Sequence, residues 1–325
     1  MNLNDVLRSF GINEAPVISE INGGHINATY HVSAGDKGEY ILQSLNTDIF
    51  TRPEAVMANI SVLEKLFSSP EERVGVPHFL TAEDELNYVC TEDGFYRLYE
   101  YISPSEKSDY FSAGAAFGAF IKGLGRKNVR FEETIADFHN YSLYFSALTA
   151  ADKVSPLKKI DSMVMGRLSS LQSTLEQVFT VDFPVRSVHN DAKISNVITG
   201  EKCTIIDLDT VMKGYAAIDY GDMIRSVCSP ESLDFTVIRD ITRGFADGLE
   251  GTLTEDEIYS LYYGILYVTG ELAVRYLIDY LSADKYFKGK TSAECLSRAN
   301  ELLNQLNRFI NSGEELTTII YEEFR

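Results

Sequence analysis

The sequence predicts an α+β fold in two parts, a small β-rich N-terminal lobe with one main helix and a large, mainly helical C-terminal lobe. Three observations predict it. Short strand-like runs punctuated by Gly and Asn turns fill the first hundred residues. Apolar residues then recur at helical spacing through most of the remainder. One loop and strand in the second part concentrate His, Asn and Asp, which their surroundings do not. At 325 residues the chain is long enough for two lobes.

Residues 17–21 alternate as a short strand, Asn22-Gly23-Gly24 is a turn, 26–32 is a second strand, 35–38 a hairpin turn and 40–43 a third strand. Pro53 opens a helix to about Phe67, proline being favoured at the first helical position, with Val56, Ile60, Leu63 and Phe67 on one face. Strands near 79–80, 86–90 and 95–102 complete the sheet. Strand character stops at Ser103-Pro104-Ser105, which divides the chain into 1–103 and 104–325. Helices are expected over 110–124, 141–148, 157–179, 232–249, 254–281 and 293–310, and Thr254 with Glu257 forms a capping box.

Composition bounds the partners. Hydrophobic residues are 45% and charged residues 24%, ordinary globular values, but the formal net charge is -19. That balance argues against nucleic acid or an anionic membrane as partner, since both need a basic face. No apolar run reaches the roughly 20 residues that span a bilayer, and the N-terminus lacks a signal-like basic start. Cys90, Cys203, Cys228 and Cys295 lie far apart without a CxxC pair, so reduced thiols and a cytoplasmic location are expected.

The chemistry concentrates in Val188-His189-Asn190-Asp191-Ala192-Lys193-Ile194-Ser195-Asn196 and in the run Cys203 to Asp209. A loop of such residues is ordinarily a turn. Here, however, Asp191 and Asn196 sit five positions apart, the spacing of the base and the metal-binding amide in a kinase catalytic loop. Asp207 ends an apolar strand, where the second metal ligand belongs. An attacking hydroxyl needs a carboxylate to take its proton, and Mg²⁺ on a triphosphate takes a few hard oxygen ligands. Asp191, Asn196 and Asp207 supply that set. Asp209 either lines the metal or acceptor site or caps its turn. With the β-rich lobe before it, this is the bilobal kinase arrangement. It places ATP between the lobes, with the backbone of Glu100, Tyr101 and Ile102 meeting the adenine, and an acidic molecule must then neutralise the triphosphate locally or through the metal.

On these residues the sequence resembles the aminoglycoside phosphotransferase superfamily, a protein-kinase-like fold, and within it the N-acetylhexosamine 1-kinases. The resemblance is carried by Gly23 to Tyr30, by Tyr40 to Asn46 with Phe50 and Pro53, by His189 to Asn196 with Ile206 to Met212 and Tyr220 to Arg225, and by Glu271 to Leu281 with Tyr286 to Lys288. It implies ATP and Mg²⁺ as cosubstrate and cofactor and a sugar acceptor such as GlcNAc or GalNAc. The alternatives are a kinase of another small alcohol, such as an aminoglycoside, choline or homoserine, and a non-catalytic nucleotide-binding relative. It further implies nucleotide contacts from Gly23, Gly24 and Gln43 and sugar contacts from His25, Asp191 and Arg275. His189 and Asp222 would support the loop. Gln43 departs from the wider kinase pattern, which has a phosphate-binding Lys there. The spacing of Glu271, Arg275 and Asp279, i, i+4, i+8, is also how exposed helical ion pairs are written.

Overall fold

The computed structural model describes residues 2–13, 16–21, 26–104, 109–125, 129–155, 158–283, 285–287 and 289–325. It divides into two compact units. One comprises Met1–Lys107, Arg130–Ala136 and Ile198–Val211; the other comprises Ser108–Val129, Asp137–Val197 and Met212–Arg325.

The first unit begins with α1 (Leu3–Ser9), capped by the Asn2 side chain. Strands β1 (Val17–Glu20), β2 (Ala28–Ser33) and β3 (Glu39–Leu45) follow, then α2 (Pro53–Leu66), β4 (Val74–Gly75), β5 (Val89–Thr91) and β6 (Gly94–Glu100). The sheet runs β1-β2-β3-β6-β5, antiparallel throughout. Between β2 and β3 the expected hairpin turn is a 3-10 turn, Gly35–Lys37, with its first residue Gly35 and the following Gly38 at φ 60° and 110°, a region where glycine is unstrained. Helix α1 is too short for its period to show in the sequence. It buries Val6 and Leu7 against Val32, Leu42 and Leu98 on one face of the sheet.

Helix α2 starts at Pro53 as expected and buries Val56, Met57, Ile60 and Leu63. Asn59, buried among them, ties in the two later segments. Its Nδ2 donates to the carbonyls of Glu132 (2.9 Å) and Val211 (3.1 Å), and its Oδ1 accepts from the Glu132 amide (2.9 Å). One side chain thus fixes 130–136 and 198–211 to the sheet unit.

The second unit is built from α3 (Tyr110–Gly125), α4 (Tyr141–Val154) and α5 (Ser162–Val178). After them come β7 (Arg186–Val188), the two-residue β8 (Val197–Ile198) at the boundary with the first unit's segment 198–211, in which β9 (Cys203–Ile205) pairs parallel with β4, and then β10 (Met212–Gly214). Helices α6 (Ala216–Val227), α7 (Phe235–Leu249), α8 (Glu255–Leu281), α9 (Ser292–Asn311) and α10 (Gly313–Glu323) complete it. Strand β7 pairs antiparallel with β10, Val188 opposite Met212. Helix α5 starts at Ser162 rather than 157 because Asp161 caps it there. Helix α6 was not among the helices expected from periodicity: the run from Ala216 to Ile224 is buried throughout, Asp219 and Asp222 included, so no apolar stripe announces it. The Thr254–Glu257 capping box is present, and Thr291–Glu294 forms a second at α9.

Helices α3 and α7 cross at backbone contact. A Cβ at Gly118 would lie 2.3 Å from the Phe245 carbonyl oxygen, and one at Gly244 would lie 2.0 Å from that of Phe111. No described helix is long and apolar enough to cross a membrane.

Candidate active site

The loop after β7 is pinned from both sides. Asp219, in the first turn of α6 and fully buried, accepts the amides of His189 (2.8 Å) and Asn190 (2.7 Å), one on each oxygen. Asn190 has φ 62°, a left-handed conformation that Asn tolerates better than most residues. Its carbonyl accepts from His139 Nε2 (2.8 Å), and His139 Nδ1 meets Glu271 Oε2 on α8 (3.1 Å). Burial pulls the His139 pKa down, but Glu271, Asp222 and the Asn190 carbonyl raise it further, to about 9, so the ring is an imidazolium. Burial pushes the Asp219 carboxyl up to about 7 against the pull of the two amides.

These braces present Asp191. Its side chain is about a quarter exposed, and Lys193 Nζ pairs with Oδ2 at 2.9 Å. Asn196 Nδ2 donates to the Asp191 carbonyl (2.8 Å) and approaches its carboxylate (3.4 Å). The structure therefore brings Asp191 and Asn196 together. Asn196 spends its NH₂ on the loop, which leaves its amide oxygen, a hard donor of the kind Mg²⁺ takes, as the remaining polar atom. His189 is buried, edge-on to Phe117 (5.5 Å, 88°), and its Nδ1 accepts from the Asp191 amide (3.3 Å). That is a shaping role. Asp222, expected to brace the loop, pairs with Arg225 (2.6 Å) on its own helix and adds its charge to those that raise the His139 pKa, while Asp219, one turn earlier, holds the loop amides.

Asp207 and Asp209 belong to the other unit. Asp207 follows β9 in the left-handed region (φ 60°, ψ 53°) and starts a 3-10 turn, Leu208–Thr210. Asp209, expected at the metal or sugar site or as a turn carboxylate, is 2% exposed and anchors this turn. Arg97 forks onto both its oxygens, with Nη2 at 3.0 Å from Oδ2, and Asn27 Nδ2 donates to Oδ2 at 2.7 Å. Thr134 donates to its backbone carbonyl (2.6 Å). Gln43 Oε1 accepts from Arg97 Nε (2.9 Å) and Nη2 (2.7 Å), and Gln43 Nε2 donates to Thr29 (3.2 Å). Gln43, expected to meet nucleotide, thus has both ends of its amide engaged within the sheet. Burial lowers the Arg97 pKa, but Asp209, with Tyr99 and Asp207 beyond it, raises it by more.

A third cluster lies on α8 and the segment after it, and the pattern of exposed ion pairs is wrong here: Glu271, Arg275 and Asp279 are all buried. Glu271 faces His139, and Arg275 Nη1 is 3.7 Å from Glu271. The Arg275 guanidinium lies over Tyr286 (4.4 Å), Tyr144 (5.3 Å), Phe138 (5.6 Å) and Phe287 (5.6 Å). Asp279 accepts the amides of Tyr286 (3.0 Å) and Phe287 (2.8 Å), which holds those rings over the cation. Gly23, Gly24 and His25 lie outside the described residues. Glu100 and Tyr101 donate their amides to the carbonyls of His78 (3.2 Å) and Glu39 (2.9 Å).

Sequence reasoning missed Asp219, His139 and Arg97. Only Arg97 left a trace, as the cation on the strand beside a β3 that lacks its expected Lys. Among the described residues no group of three or more His, Cys, Asp or Glu forms a metal cluster. A metal shared with substrate phosphates needs fewer protein ligands, and one carboxylate with one amide oxygen fits it.

Residues 17–252 match the phosphotransferase enzyme family model, and the chain belongs to that family. Solved structures share its kinase-like fold. An ethanolamine kinase from Plasmodium vivax has a TM-score of 0.62 at 14% identity, over 91% of this chain and 84% of that one. A choline/ethanolamine kinase family protein from Mesorhizobium loti has 0.61 at 15%, over 95% and 93%. A spectinomycin phosphotransferase, in complex with ADP and its antibiotic, has 0.59 at 14%, over 99% and 97%. The chain is a small-molecule phosphotransferase of mixed α+β, kinase-like architecture.

Proposed function

We propose that this phosphotransferase uses ATP and Mg²⁺ to phosphorylate the anomeric hydroxyl of an N-acetylhexosamine, GlcNAc or GalNAc, in the cytoplasm. The observation that carries the reading is the pinned loop, which fixes one partly exposed carboxylate, Asp191, beside a metal-competent amide. Asp191 accepts the proton of the sugar hydroxyl as that oxygen bonds to the γ-phosphorus. The bond from that phosphorus to the β–γ bridging oxygen breaks, and ADP leaves with the electron pair. Asn196 and Asp207 are the residues that would hold Mg²⁺, which when bound neutralises the phosphate oxygens. Positioning supplies most of the acceleration, as expected when the protein does little covalent chemistry. Because the amides of Glu100 and Tyr101 are engaged, a backbone donor to the base falls to Ile102.

The acceptor class rests on Arg275. Amine alcohols such as choline and ethanolamine, substrates named for two of the structural relatives, favour aromatic surroundings. Here the rings already surround a fixed guanidinium, which repels a second cation and offers donors to hydroxyls or an amide carbonyl. The test is ADP release with GlcNAc, GalNAc, choline, ethanolamine and spectinomycin. The hexosamines are expected to turn over, and Arg275→Met to raise their KM about 10–100-fold, the loss of a charge-assisted hydrogen bond or two. Preference for choline or ethanolamine would overturn the assignment.

A further inference from the structure

We propose that Arg97 is a positioning residue for the metal carboxylate: it fixes the left-handed turn at Asp207 by holding Asp209, and Gln43 is the strand residue that aims it. The proposal rests on the reading of Asp207 as a Mg²⁺ ligand.

The argument starts from sheet register. Gln43 on β3 stands directly opposite Arg97 on β6. A lysine at 43 would place a second cation against Arg97 at the closest cross-strand position, which is destabilising. A glutamine instead accepts two of the guanidinium N–H bonds through one oxygen and fastens its other end to Thr29. The guanidinium is left one orientation, with its remaining donors on Asp209. Phe79 covers its face at 5.5 Å.

Asp209 is then held at every polar atom that matters to its turn. Arg97 and Asn27 take the carboxylate, Thr134 takes the carbonyl, and Asn27 is itself fixed by the Asn46 amide (3.0 Å). Asp207 lies two residues before this anchor and at positive φ, where a non-glycine residue persists only if its surroundings impose the conformation. The Asp207 carboxylate leaves its strand directly into this anchored turn. The cation that the wider kinase pattern spends on phosphates is here moved one strand over and spent on the metal ligand's turn. Groups that orient a metal ligand typically change metal affinity about 10–100-fold when removed.

The experiment measures binding, so no acceptor sugar is needed. Mn²⁺ binding to the full chain in the presence of ADP is followed by electron paramagnetic resonance, and metal-free ADP binding in EDTA is followed by calorimetry. Arg97→Gln is expected to weaken Mn²⁺ binding about 10–100-fold with metal-free ADP affinity unchanged. The double variant Arg97→Gln/Asp209→Asn, which leaves no unpaired buried charge and so guards against simple unfolding, is expected to show the same loss. Arg97→Lys, which keeps the charge but not the fork, should fall between. An equal loss of metal-free ADP affinity would make Arg97 a phosphate ligand and overturn the proposal. Folded variants with unchanged Mn²⁺ affinity would make it merely structural and overturn it too. Failure of the unsubstituted chain to bind Mn²⁺ with ADP would overturn the nucleotide reading itself and this proposal with it.

Discussion

In the Asp191 loop the anchoring carboxylate, Asp219, is held by two backbone amides; in the Asp207 turn the anchoring carboxylate, Asp209, is held by a guanidinium and a side-chain amide. Both anchors are buried, and both hold a non-glycine residue at positive φ, Asn190 at 62° and Asp207 at 60°. They differ in charge. The turn is fixed by a cation that never titrates in the accessible range. The loop is fixed by groups that do, a carboxyl raised to about 7 and an imidazole raised to about 9. Two strained segments of similar geometry therefore answer differently to substitution and to pH.

The largest effect should come from the group that the loop anchor presents. Asp191→Asn is expected to lower kcat about 10²–10⁴-fold, the range of a lost general base, with ATP affinity retained in a binding titration. Loss of affinity instead would make Asp191 part of nucleotide binding and remove the distinction between loop and turn.

Stability should separate the anchors next. Arg97→Gln leaves Asp209 buried without its cation and should cost about 3–5 kcal/mol by urea unfolding, mostly recovered when Asp209→Asn is added. Asp219→Asn keeps a neutral side chain that sets one donor against an amide and should cost about 1–3 kcal/mol. Equal costs, or no recovery in the double variant, would break the comparison.

The pH response sharpens it. The folded His139 pKa of about 9 is above the ordinary 6.5, so its stabilisation is full below 6.5 and is lost as pH rises through 9. The folded Asp219 pKa of about 7 is above the ordinary 3.8; such a carboxyl costs stability as it ionises, from about pH 4 to 7. Both make unfolding easier as pH rises. His139→Gln should flatten the upper part of the profile, a span on the order of 2–4 kcal/mol, and Asp219→Asn the lower part. A profile left unchanged by both substitutions would contradict the assignment.

The smallest effect concerns the scaffold on the loop side. Helix α3 carries Phe117, which packs on His189, and it meets α7 through glycines. Gly118→Ala should cost about 1–3 kcal/mol in thermal or urea unfolding, because its Cβ has no room. An unchanged midpoint would mean that the crossing is looser than its geometry indicates.

The same comparison explains what was legible in the sequence. Asp191 and Asn196 lie within one short loop, so their relation is a spacing and can be read. Their braces cannot: Asp219 is 30 residues from His189, His139 is 51 from Asn190, and Arg97 is 112 from Asp209. No local pattern encodes a partner at that distance. Long amphipathic helices and the box at Thr254 were legible because their signals are periodic or local. Helix α1 was too short, and α6 buries two carboxylates on the face where a periodicity argument looks for apolar residues. The triplet Glu271, Arg275, Asp279 misled for the converse reason: a spacing that suits exposed ion pairs serves equally when the residues are buried and reach partners outside the triplet.

The most direct measurement is the position of the phosphate on the product. With ATP, Mg²⁺ and GlcNAc, phosphorus NMR should show an acid-labile sugar 1-phosphate. The methyl glycoside of GlcNAc, whose anomeric oxygen is capped, should give none. Phosphate on C6, or equal turnover of the glycoside, would contradict transfer to the anomeric oxygen.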